Sequence, residues 1–251
     1  MSWVSYSNVM PISALKNSTK LSKSIENILS SVKIKPNKHG KNSSLAVFLN
    51  DNKISIAVID LSGKKPIIGG YNMDDFIYPA SLYKIFIVAE VLRQSQNKKF
   101  SLDKKIFISA INAVDKRKQI PYDKRKLLKA GERVSAKYLL ELMFSRSDNT
   151  AANCLIDLVD RENINKYIIK KYHWSGSEVT RKFLPRKFEK AKYKKVPITL
   201  TCAKHIANFF FLIEKEKMVS KTASRYLKKF LINSQHFEKD NIGAGLPKSA
   251  K

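Results

Sequence analysis

Apolar residues recur along this chain at two different periods, and the change from one to the other divides it. Residues 13–33 carry Leu15, Leu21, Ile25, Ile28, Leu29 and Val32 at helical spacing. Residues 36–42, opened by Pro36 and containing Gly40, read as a turn-rich connector. Residues 45–49 and 54–59 are short strand-like runs, punctuated by turns at Asp51-Asn52 and Ser62-Gly63. Pro66-Ile67-Ile68 predicts the start of a further strand. From Ser81 the period becomes helical, with Ile85, Val88, Ala89 and Leu92 on one face. Residues 100–111 fit neither period cleanly. Ser135 is the expected N-cap of a helix over 136–145, and Thr199 or Thr201 that of a helix running through Phe211. A last helix is expected over 220–233. The predicted layout is a helix, then strands, then a long helical block with no strand of its own, and nothing repeats internally.

A chain of 251 residues with 43% hydrophobic content can bury a substantial core as one large domain or two small ones, and its composition fits a globular protein and argues against disorder. The net charge of +27 changes the picture more. It is mostly lysine and spread along the whole chain. A dedicated nucleic-acid binder clusters its charge and favours arginine for bidentate contacts, so no specific nucleic-acid partner is expected. The charge reads as a solvated lysine surface, with attraction to anionic polymers, membranes or cell walls as the other reading. Cys154 and Cys202 have no histidine at ligand spacing, so no metal site is expected, and both fall in apolar helical patterns that suit buried free thiols. No apolar run reaches the roughly 20 residues of a membrane-spanning helix. Residues 1–20 show no continuous apolar core of a signal peptide.

The candidate chemistry lies in two short motifs. Ser81-Leu82-Tyr83-Lys84 follows Pro79, which is tolerated just ahead of a helix but not inside one. Ser81 is thus expected in the first turn, with Lys84 on the same face three residues on. A lysine buried away from water can act as base toward a hydroxyl, and free N–H groups in such a turn can hold an oxyanion. The spacing alone is weak evidence, because Ser13, Ser30, Ser62, Ser95 and Ser101 share it. On that spacing alone, Ser81 is a plain cap and Lys84 a solvated lysine. Ser147-Asp148-Asn149 occurs once, between the apolar runs 138–144 and 150–156. On its own it reads as a polar loop in which Ser147 or Asp148 caps the second helix. Together, an S-x-x-K helix start and a downstream S-D-N loop are two parts of the active site of a penicillin-recognising serine enzyme.

From residue 54 to 246 the chain resembles class A β-lactamases and related β-lactamase-like serine hydrolases. Beyond the two motifs, Gly176-Ser177-Glu178-Val179-Thr180-Arg181 is similar to the family's G-D-x-V-T-R entry to its Ω-loop. Residues 197–203 are similar to the threonine-rich start of the following helix, and residues 243–247 to the turn before the next strand. The resemblance implies an α/β (α+β) fold of two lobes, one with a five-stranded antiparallel sheet and one all-helical, with the serine in the cleft between them. It divides the chain into an N-terminal helix and connector (1–42), strands (43–80), a helical lobe (81–235) with an Ω-loop-like segment at 176–197, and a connector (236–251). It implies Ser81 as nucleophile, Lys84 as base, Ser147 as proton relay, Asn149 as the substrate-amide ligand and Asp148 as a structural member. No cofactor or metal is implied. The expected partner is a β-lactam or peptidoglycan-like substrate, the expected state a monomer, and the expected location periplasmic or secreted.

The chain departs from the family's pattern twice. Alignment on Val179-Thr180-Arg181 puts Arg186 where the family's Ω-loop has the glutamate that activates the deacylating water. Glu189 is the nearest carboxylate and the candidate for that role, against a reading of it as a solvated glutamate among lysines. Lys248-Ser249-Ala250 follows Gly245-Leu246-Pro247 and makes a poor strand interior, so the K-T-G strand and the last strands are expected to be missing from this chain. A penicillin-binding D-alanyl-D-alanine peptidase-like protein that acylates without turnover is the alternative within the same chemistry. A non-catalytic remnant or basic interaction protein is the alternative from another class.

Overall fold

The computed structural model describes residues 12, 15–31, 54–116, 123–189 and 196–232. Strand β1 (Lys16–Asn17) leads into helix α1 (Thr19–Ser31), and Ser18 Oγ accepts from the Leu21 N–H at the helix start. Helical spacing thus extends too far toward the N-terminus in the sequence reading. Leu15, which fits the helical period, is buried ahead of a strand instead. Strands β2 (Ile56–Asp60) and β3 (Ile67–Tyr71) form an antiparallel pair in register Ile56↔Tyr71 to Asp60↔Ile67, and β1 pairs with the other edge of β3 in parallel. The sheet order is β1-β3-β2. Among the described residues this sheet therefore has three strands, one of them parallel. The run expected at 45–49 lies outside the described residues. Gly69 lets α1 approach, since a Cβ there would stand 2.8 Å from Leu21 Cβ.

A 3-10 turn (Ala80–Tyr83) enters helix α2 (Lys84–Gln96). Ile85, Phe86, Ile87, Val88, Ala89, Val91 and Leu92 are all buried, so α2 is apolar nearly all round and runs through the core. Its buried Glu90 is satisfied by Arg93 Nε at 2.6 Å and Gln94 Nε2 at 2.7 Å.

Strands β4 (Lys105–Phe107) and β5 (Arg133–Ser135) pair antiparallel, Lys105 opposite Ser135. This ribbon corrects the expectation of a helical block without strands. Three residues are too few to display a period, and the pairing spans a long sequence separation. Ser135 Oγ accepts from the Tyr138 N–H and caps helix α3 (Ala136–Arg146). Helix α4 (Asn149–Val159) follows directly, then α5 (Arg161–Ile164), which continues as a π-turn over Asn165–Lys170.

Helix α6 (Ala203–Glu214) is preceded by Cys202, with no side-chain cap. The threonines expected as caps are used elsewhere. Thr201 Oγ1 lies 2.7 Å from Ser177 Oγ, and Thr199 Oγ1 accepts from the Thr180 N–H at 3.2 Å. Both tie the segment before α6 to the loop entry at 177–180. Helix α7 (Lys221–Ile232) closes the described chain. Backbone bridges Ile77↔Thr201 and Glu178↔Leu200 join the approach to α2, the loop entry and the approach to α6. Gly176 makes the turn beneath them at φ +88°, where a Cβ would also collide with the Phe76 ring at 2.5 Å.

Candidate active site

Two helix junctions build the site. Pro79 stops any earlier helix, and Ala80 at φ 47° bends the chain so that the 3-10 turn carries Ser81 one turn ahead of Lys84. The second junction is the gap between α3 and α4. Ser147 occupies the left-handed region at φ 54° and ends α3. Asp148 Oδ1 then accepts from the Ala151 N–H at 2.8 Å and starts α4. Asp148 and Arg146 are both fully buried and paired at 3.0 Å, and Arg146 also donates to the Arg125 and Lys126 carbonyls. The reversal at Ser147 is thereby held from beneath.

These junctions bring Ser81, Lys84, Ser147 and Asn149 into one cluster. Ser147 Oγ donates to Ser81 Oγ at 2.9 Å. Lys84 Nζ reaches Ser147 Oγ at 2.9 Å, the Ser147 carbonyl at 2.8 Å, Asn149 Oδ1 at 2.7 Å and Ser81 Oγ at 3.3 Å. Lys84 is only 5% exposed. Two of its partners, the Ser147 carbonyl and Asn149 Oδ1, can only accept. An uncharged amine would satisfy them with its two N–H groups and turn its lone pair toward the hydroxyls. The arrangement can therefore pass a proton between two serines and an amine.

Asn149 is oriented from its other end, where Asp115 accepts from its backbone N–H at 2.6 Å and from Nδ2 at 3.3 Å. Above Lys84 lies Phe183, with its ring centroid 4.4 Å from Nζ, stacked on Tyr83 at 4.7 Å with the planes 1° apart. Burial pushes the Tyr83 phenol well up from its ordinary value, and its hydroxyl donates to the Arg181 carbonyl. A cleft of about 770 Å³ opens beside the cluster, lined by Asn149, Tyr83, Phe183, Tyr78, Ile111 and Phe188 among others.

Glu189 is directed elsewhere. One carboxylate oxygen accepts from Arg161 at 3.1 Å and the other from the Lys182 backbone N–H, while Arg161 also donates to the Thr180 carbonyl. The carboxylate fastens the loop to the start of α5. Arg186 falls in a 3-10 turn, Arg186–Phe188. Lys248-Ser249-Ala250 and residues 243–247 lie outside the described residues.

A family model described as the β-lactamase enzyme family matches residues 42–251. The chain belongs to that family. Solved structures agree at the level of fold. A β-lactamase from Sphaerobacter thermophilus DSM 20745 superposes with a TM-score of 0.62 at 22% identity, over 81% of this chain and 72% of that one. PBP-A gives 0.65 at 17% identity, over 93% and 75%. The TLA-1 extended-spectrum β-lactamase gives 0.63 at 20% identity, over 91% and 73%. No curated protein matches the chain. The two-lobed β-lactamase-like architecture, with mixed α/β and helical parts, is thus the fold of this protein.

In this β-lactamase family member, sequence reasoning missed three contributors. Asp115, Arg146 and Phe183 each act on a motif residue from a distant or unremarkable position. Only Arg146 carried a signal, as a cation two residues before the aspartate of the S-D-N motif.

Proposed function

We propose that this protein is a serine acyl-transfer enzyme of the β-lactamase type, acting on the β-lactam ring. The observation that supports this most is the closed set of contacts among Ser81 Oγ, Lys84 Nζ and Ser147 Oγ, at 2.9, 2.9 and 3.3 Å. In this reading Ser81 Oγ attacks the β-lactam carbonyl carbon and gives its proton to the Lys84 amine, directly or through Ser147. The ring C–N bond breaks, and Ser147 delivers a proton to the leaving nitrogen. Asn149 meets the substrate amide, and Asp148 holds the loop. The product is an acyl ester on Ser81.

Clearing that ester needs an activated water. Glu189 is the candidate base named from sequence, but its carboxylate is bonded to Arg161 and the Lys182 N–H. That commitment favours slow hydrolysis and lends weight to the penicillin-binding, peptidase-like reading. A solved PBP-A variant is described as an acyl-enzyme complex with penicillin G. The substrate is proposed to be met in the periplasm or outside the cell, as the family implies.

The test is labelling of the purified protein with a fluorescent penicillin. Covalent label on the wild type that is lost in Ser81→Ala supports the proposal. Turnover of a chromogenic cephalosporin then separates hydrolysis from acylation alone. No label, together with salt-sensitive binding to polyanions, would overturn it in favour of a basic interaction protein.

A further inference from the structure

We propose that Phe183 is a positioning residue that steadies the Lys84 amine against the serines. This rests on the acyl-transfer reading above and extends it to how the base of that reaction is held.

The ring is placed by the protein around it. The Phe183 backbone N–H donates to Asn153 Oδ1 at 2.7 Å, and its carbonyl accepts from Asn153 Nδ2 at 3.3 Å. Asn153 is fully buried in α4, so the loop is clamped to the core at this residue. Tyr83 backs the ring on its stacked face, and Tyr83 is itself held by the Arg181 carbonyl. The cleft reaches Phe183 and Asn149, yet Lys84 does not line it and is almost wholly buried. The ring therefore stands between the amine and the open cleft.

An aromatic face attracts an ammonium group through its quadrupole. Unlike a carboxylate, it can neither take a proton nor orient a water. With Glu189 committed to Arg161, this position offers attraction for the lysine and no base for a nucleophilic water. Removing the ring face while keeping apolar volume isolates this attraction.

The experiment follows acylation with a fluorescent penicillin, by gel and intact mass, in wild type, Phe183→Leu and Phe183→Tyr. Phe183→Leu loses the stabilisation of the protonated amine. The rising limb of its acylation rate against pH is expected to move to lower pH. Phe183→Tyr keeps the ring face and is expected to keep the wild-type profile. A pH profile unchanged in Phe183→Leu overturns the positioning role, as does a tyrosine profile displaced as far as the leucine one. Should Phe183→Leu fail to fold, Phe183→Met is read in the same assay. Wild type that takes no label on Ser81 sinks both the acyl-transfer reading and this one. Label on Ser81 with an unmoved leucine profile sinks this one alone.

Discussion

Arg146 and Asp148 form an ion pair that water does not reach, 3.0 Å apart with both side chains fully buried. Asp148 also caps α4, and Arg146 ties the 125–126 loop to the same point. Removing Asp148 leaves Arg146 with the longer 3.9 Å pairing to Asp123 and uncaps a helix at the same time. Asp148→Ala is expected to cost about 3–5 kcal/mol of stability. Thermal unfolding followed by circular dichroism checks this, and a melting point within a degree or two of wild type would show the pair to be dispensable.

Asp115 is expected to matter to acylation without touching the nucleophile. It holds Asn149 by both the backbone and the side-chain amide. Hydrogen bonds to a charged group contribute roughly 1.5–3 kcal/mol. If that orientation is felt in the transition state, Asp115→Ala slows penicillin labelling of Ser81 by about 10- to 100-fold. Its own backbone N–H is anchored on Thr150 Oγ1, so the loop keeps its path in the variant. Equal labelling rates would remove Asp115 from the account.

His205 gives the protein an acid-sensitive joint. Its Nδ1 lies 2.8 Å from Ser177 Oγ, which in turn contacts Thr201. Burial first, and the nearby Lys204 charge second, lower its pKa from 6.5 to about 4. The unfolded imidazole thus binds its proton at higher pH than the folded one. Its stabilising contribution is complete above pH 6.5 and is lost as pH falls from 6.5 through 4. Melting temperatures measured from pH 7 to pH 4 should fall across that window, and less steeply in His205→Gln. Parallel curves for the two proteins would refute the assignment.

Both cysteines should resist thiol reagents. Cys154 and Cys202 are free and buried. Burial pushes the Cys154 thiol up to about 12 and raises that of Cys202 as well. At pH 8 neither presents much thiolate. Labelling by a disulfide-exchange chromophore should be slow in native protein and count two thiols on denaturation. Rapid native labelling would contradict this packing.

Much of this was legible beforehand. Ser135 caps α3, the helix over 220–233 is α7 within a residue at each end, and β3 starts at Ile67 beside Pro66. Those features are local: a cap, a period or a proline acts within a few residues. The β4–β5 ribbon was not legible, because its stability comes from pairing between segments far apart in sequence. Nor were the duties of Thr199 and Thr201, since a threonine before a helix can cap it or bond across a loop, and only the neighbouring chain decides.

By itself the sequence determined the family, the order of the longer helices and of β2 and β3, and the two motifs at 81–84 and 147–149. Spacing to a lysine alone did not single out Ser81, and its context behind Pro79 together with the S-D-N match did. Tertiary structure decided the contacts, seating the Ser147 hydroxyl 2.9 Å from Ser81 and the Asn149 amide oxygen 2.7 Å from Lys84. It also drew Glu189 away to Arg161 and set Phe183 over the amine. Reactivity depends on distances of about 3 Å between groups tens of residues apart, and only the packing of α2 against α4 fixes such distances.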